Sequence, residues 1–143
     1  MQKEQEGARV RGRVMIVDDD VMVSSALRRT LAREHDVDVV TSSREALNLL
    51  LGPKGGEVDV VLCDLMMPDL TGMELHAELS EKAPGVARRM VFVTGGAFTP
   101  AARAFMDQVK NARVDKPFDS QQLREQVREW VVKARTLEPV QAA

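Results

Sequence analysis

Apolar and polar residues fall in blocks along this chain, and the period within the blocks changes in a regular way. A short apolar run, Val14-Met15-Ile16-Val17, ends at Asp18-Asp19-Asp20 and reads as a strand. Over 21–34 the period becomes helical: Val23, Leu27 and Leu31 recur every fourth residue, and Arg28, Arg29 and Arg33 face outward. Asp20 stands where a helix cap belongs. A second strand is expected over 37–41. Ser42-Ser43-Arg44-Glu45 is a capping-box pattern that opens a leucine-rich helix ending at Leu51. Gly52-Pro53-Lys54-Gly55-Gly56 breaks the chain.

The run 58–63 is mostly apolar, as a strand buried in a parallel sheet would be, and it stops at Asp64. Thr71-Gly72-Met73-Glu74 is a second capping box, predicting a helix to about residue 82, and Pro84-Gly85 predicts a turn. Met90-Val91-Phe92-Val93 is the fourth strand, ending at Thr94-Gly95-Gly96. Thr99 as cap and Pro100 at the first helical position start a fourth helix with Phe105 and Val109 inside. Arg113-Val114-Asp115 is a short fifth strand ending at Lys116-Pro117. Asp119 caps a last helix with Leu123, Val127, Trp130 and Ala134 as its stripe.

Five strand-then-helix units in series imply a doubly wound α/β fold, a five-stranded parallel sheet with helices on both faces. The flavodoxin-like order 2-1-3-4-5 is the most economical arrangement, although periodicity alone does not establish it. One domain is expected over 13–135, between tails at 1–12 and 136–143. The 143 residues include 20 basic and 22 acidic side chains, a net charge of −2, with no basic block and no Tyr. That argues against nucleic acid as a partner. The single cysteine, Cys63, lies in the buried run and reads as a core residue. With no signal-peptide core and no apolar stretch of bilayer length, a cytoplasmic protein without membrane contact is expected. His35 and His76 stand at no strand end and read as surface residues, and Trp130 as core or part of a dimer face.

The chemistry lies at the strand ends. In the proposed order, strands one, three, four and five bring Asp18, Asp19, Asp64, Thr94 and Lys116 to one edge, where open α/β sheets bind ligands. Three crowded carboxylates raise one another's pKa values unless a cation intervenes. A few oxygen ligands suit Mg²⁺, which keeps several waters and accepts phosphate as a co-ligand. A lysine and a hydroxyl complete a phosphoryl-transfer site with Asp64 as acceptor.

The chain resembles the receiver domain of two-component response regulators, whether stand-alone or part of a hybrid histidine kinase. The resemblance rests on V-D-D-D at 17–20, L-C-D-L-M-M-P-D-L-T-G at 62–72, V-F-V-T-G-G at 91–96 and D-K-P-F at 115–118, each in order and at a strand end. It implies that Asp64 takes a phosphoryl group from a phosphohistidine of a sensor kinase or phosphotransfer protein. Asp19 would bind Mg²⁺ directly and Asp18 largely through water. Met66 would offer its backbone carbonyl, and Thr94 and Lys116 would contact the phosphoryl oxygens. The peptide bond before Pro117 would be cis. In the family Thr94's counterpart moves toward the phosphoryl group and an aromatic on the fifth strand follows. The matching residue here is Arg113, so the aromatic half of that switch is missing. The implied module has no attached output domain, is a monomer or weak dimer, and controls a protein partner.

Two other readings compete. A haloacid-dehalogenase-like phosphatase also uses Asp, Thr, Lys and Mg²⁺, and Asp18-Asp19-Asp20 can mimic its Asp-x-Asp pair. Such enzymes need acids beyond the lysine, and only Asp119 follows nearby. An inert receiver fold acting by contact alone is opposed by the complete Asp, Thr and Lys set. Taken singly, Asp18 and Asp19 are a turn, Thr94 a strand end and Lys116 a loop residue. The inference lives in their conjunction.

Overall fold

The computed structural model describes residues 10–95 and 99–136. Its strands are β1 (Arg13–Val17), β2 (Asp36–Val40), β3 (Val60–Asp64), β4 (Met90–Thr94) and β5 (Arg113–Asp115). The principal helices are α1 (Val21–Leu31), α2 (Ser43–Leu51), α3 (Gly72–Lys82), α4 (Pro100–Gln108) and α5 (Ser120–Thr136). The strands form one 5-stranded sheet in the order β2-β1-β3-β4-β5. Every pairing is parallel, which is the flavodoxin-like arrangement the block pattern predicts.

The sheet separates two cores. Val14, Ile16, Val60, Leu62, Val91, Val93 and Val114 pack on Leu27 and Leu31 of α1 and Leu123, Val127 and Val131 of α5. The alternate residues, among them Met15, Val17, Val61, Cys63, Met90 and Phe92, pack on α2, α3 and α4. Both faces of β1, β3 and β4 are therefore covered, which explains why these segments lack polar alternation. The edge strands do alternate: Asp36 and Asp38 of β2, and Arg113 and Asp115 of β5, are exposed.

The caps form as their sequences require. Asp20 accepts from the Met22 and Val23 amides at the start of α1. Ser42 accepts from the Glu45 amide, and Thr71 with Glu74 closes a complete capping box on α3. Thr99 caps α4, and Asp119 accepts from the Gln122 amide at the head of α5.

Several expectations need correction. Helix α1 stops at Leu31, where the Glu34 and His35 amides both turn back to the Leu31 carbonyl. Strand β2 runs over Asp36–Val40, one residue earlier than expected. Strand β3 begins at Val60 because a 3-10 turn, Gly55–Glu57, uses up the approach. Pro84-Gly85 opens a one-turn helix, Pro84–Ala87, instead of a simple turn, with proline at its first position. Val109 lies just past the end of α4, where its amide closes the last turn.

On α5 the buried stripe is Leu123, Val127, Val131 and Ala134. Trp130 is only half-buried, packed against the edge of that core. His35 is not a surface residue: it is 2% exposed, and its Nδ1 accepts the Gly12 amide at 3.0 Å. His76 is half-buried, edge-on to Phe92 and Phe105 with centroids 5.8 and 5.4 Å away.

Residues 10–12, expected as the end of a tail, join the body. Arg11 pairs with Asp36, and Gly12 is buried against Val131, leaving no room for a side chain. The rest of that tail and 137–143 lie outside the described residues. Among the described residues, no helix is long and apolar enough to cross a membrane.

Candidate functional site

The three consecutive acids after β1 have three different fates. Asp18 is 1% exposed, and its Oδ1 accepts the Asp20 amide at 2.9 Å. Its Oδ2 is buried and has no hydrogen-bond partner. Asp19 is exposed, and Asp20 turns away to cap α1. Asp20 is thus unavailable as the second acid of an Asp-x-Asp pair.

Strand β3 pairs with β1 on one side and β4 on the other, so it delivers Asp64 into the middle of the edge. One carboxylate oxygen each from Asp18, Asp19 and Asp64 lies within 4.8 Å of the others. After β5, Lys116 carries its Nζ to 3.7 Å from Asp64 Oδ1 and 3.9 Å from Asp18 Oδ2. The Lys116–Pro117 peptide bond is cis.

Burial pushes the Asp64 carboxyl up to about 6, and the Asp18 charge adds to that effect. Lys116 and the Met66 amide oppose it. Burial also raises Asp18, against the Asp20 amide and Lys116. One lysine therefore does not neutralise the cluster. The donor set is all oxygen, and Asp18 Oδ2 accepts no hydrogen bond, its nearest cation being the Lys116 ammonium at 3.9 Å. These features fit a hard divalent cation better than a second ammonium.

The backbone beneath Asp64 is tightly determined. The Leu65 amide bonds the Val93 carbonyl at 3.3 Å, and the Gly72 amide bonds the Leu65 carbonyl at 2.9 Å. A Cβ on Gly72 would stand 2.6 Å from the Asp64 carbonyl oxygen, so only glycine lets α3 start this close to the acceptor. Asp69 takes a positive φ of 72° in the turn and pairs with Arg44 at 2.9 Å, consistent with a turn role. Met66 is 45% exposed, and its backbone amide is the part that reaches the Asp64 carboxylate. Cys63 is fully buried and its thiol is pushed up, an unreactive core residue as expected.

Thr94 is 2% exposed at the end of β4. Its hydroxyl donates to Asp115 Oδ1 at 3.1 Å, and its carbonyl accepts the Lys116 amide at 2.8 Å. Arg113 is exposed on β5 and its Nε lies 3.6 Å from the same Asp115 oxygen. Asp115 is the residue that sequence reasoning missed. The available signal was its place in D-K-P-F, two residues along one sheet face from Arg113. Only the β4–β5 register pairs it with Thr94.

A family model for the response regulator receiver domain matches residues 14–128. The chain belongs to that family. Among relatives of this receiver domain, the sensor kinase CckA of Brucella abortus is 32% identical over 120 residues, 84% of this chain and 12% of that protein. An uncharacterized response regulatory protein of Yersinia pestis is 35% identical over 112 residues, 78% of this chain and 44% of its own length. The hydrogenase transcriptional regulatory protein HoxA of Cupriavidus necator is 44% identical over 78 residues, 54% of this chain and 16% of that protein. The receiver domain described here thus spans less than half the length of these relatives. A solved receiver domain from Clostridium thermocellum superposes with a TM-score of 0.75 at 23% identity, covering 88% of this chain and 98% of that one. That likeness supports the fold.

Proposed function

We propose that this receiver domain is a phosphoacceptor of two-component signalling, and that Asp64 accepts the phosphoryl group. One observation carries the reading. The acid ending the central strand shares a 4.8 Å cluster with Asp18 and Asp19 and has an ammonium 3.7 Å away. An acid nucleophile between a cation-binding pair and a fixed positive charge is the minimum equipment for moving a phosphoryl group.

Asp18, Asp19, Asp64 and the Met66 carbonyl would hold Mg²⁺, which supplies charge neutralisation and an orienting ligand for phosphoryl oxygens. Asp64 Oδ attacks the phosphorus of a phosphohistidine on a sensor kinase or phosphotransfer protein. The N–P bond breaks as the acyl O–P bond forms, and the departing imidazole returns neutral after gaining a proton. Lys116 steadies the phosphoryl oxygens, and the Thr94 hydroxyl donates to one of them. The product carries extra negative charge, which favours movement of Thr94 and the β5 edge bearing Arg113. That movement alters contact with a downstream protein. The domain would promote only its own phosphorylation and dephosphorylation, in the cytoplasm.

Incubation with Mg²⁺ and acetyl phosphate tests the reading. A phosphoryl mass increment is expected on the wild type, lost in Asp64→Asn and on chelation. An unlabelled wild type would overturn the proposal, and steady phosphate release from many esters would favour a phosphatase.

A further inference from the structure

A threonine hydroxyl has one proton to donate. In this structure that proton is committed: Thr94 is 2% exposed, and its hydroxyl donates to Asp115 Oδ1 at 3.1 Å. The two residues are register partners on neighbouring strands, so their side chains leave the sheet on the same face. Asp115 is held in turn by Arg113, whose Nε lies 3.6 Å from the same oxygen. Arg113 and Asp115 are alternate residues of β5 and share that face.

The arrangement is polar throughout: a hydroxyl, a carboxylate and a guanidinium. We propose that Asp115 is a positioning residue for Thr94. It holds the hydroxyl in the resting protein in direct competition with the phosphoryl group on Asp64, and Arg113 keeps Asp115 in place for that task. The inference rests on Asp64 being the phosphoacceptor and adds the regulation of that site.

Because the proton is single, Thr94 can serve Asp115 or a phosphoryl oxygen, but not both. Each bond formed on one side is lost on the other. The Asp115 bond therefore favours the resting state and weakens the affinity for a phosphoryl group, by linkage. Leaving a buried hydroxyl without an acceptor is unfavourable, so the resting bond is not idle. When Thr94 turns away, Asp115 loses a donor and keeps Arg113. With side chains 47% and 65% exposed, that pair lies where a partner protein can read the change.

The test is a double-mutant cycle with Mg²⁺ and beryllofluoride, an analogue of the phosphoryl group, titrated by calorimetry. Asp115→Ala should bind beryllofluoride about fivefold more tightly than wild type, the scale of one hydrogen bond. Asp115→Asn keeps an acceptor oxygen and should stay near the wild-type affinity. In a Thr94→Val background the Asp115→Ala effect should vanish. Equal tightening in both backgrounds would assign the effect to lost negative charge and overturn the proposal, as would unchanged binding by Asp115→Ala.

A measurement on the wild type needs no variant to fold. The Asp115 carboxyl carbon resonance should shift on saturation with beryllofluoride, and a fixed resonance would contradict the competition. Failure of wild-type protein to bind beryllofluoride at all would instead strike the phosphoacceptor reading, and this inference with it.

Discussion

Asp64 is held where its anion is uncomfortable, and this has a measurable consequence. Burial and the Asp18 charge move its carboxyl from 3.8 to about 6. A group with a raised folded-state pKa stabilises the fold fully below its unfolded value. That contribution is lost as pH rises through the folded value. Metal-free Asp64→Asn should therefore be more stable than wild type above pH 6, by on the order of 2 kcal/mol. The gap should close between about pH 6 and pH 4, read from urea unfolding at each pH. His35 works in the opposite direction. Burial lowers its pKa, so its contribution is lost as pH falls below the ordinary value. Because His35 is common to both proteins, it cancels in the comparison. A gap independent of pH would contradict the electrostatic account.

At the scale of elements, the decisive joint is between the end of β3 and the start of α3. Gly72 lets the helix begin against the Asp64 carbonyl, where a Cβ would stand at 2.6 Å with backbone as its neighbour. Gly72→Ala should cost about 1–3 kcal/mol in denaturant unfolding and reduce labelling of Asp64, since the acceptor strand must shift. An unchanged midpoint with full labelling would show that the joint yields freely.

Much of this level was legible in the sequence. The Ser42 cap and the Thr71 capping box, the Pro100 start and the acids closing β1 and β3 are local signals, and local chemistry decides them. The strand-end site followed from them together with the strand order. What escaped depended on partners far along the chain. Val131, packed beside Gly12, takes the place in the α5 stripe that the spacing gave to Trp130. His35 is buried because Gly12, read as tail, folds back and donates to it. Asp115 meets Thr94 through a β4–β5 register that no single segment encodes.

For the whole molecule, the site is a point where the ends of four strands converge, so a ligand bound there acts on global stability. A cation bound by Asp18, Asp19 and Asp64 in the folded state, and not by the unfolded chain, raises stability by linkage, by about 2.7 kcal/mol at a hundredfold excess over Kd. Saturating Mg²⁺ should raise the melting temperature of wild type and leave Asp18→Asn/Asp64→Asn unmoved. An equal effect on both would mean that the cation acts elsewhere. The relatives that share this domain include a sensor kinase and regulatory proteins, and the matched segment covers 12%, 16% and 44% of their lengths. Family membership thus defines the module, and Asp64 is where its proposed chemistry takes place.

That chemistry has a direct assay. Phosphorylated protein can be reduced with borohydride, which converts an aspartyl phosphate to homoserine, and the product mapped by peptide mass spectrometry. Homoserine is expected at position 64 and nowhere else, dependent on Mg²⁺. Homoserine at position 18 or 19, or none at any aspartate, would contradict it.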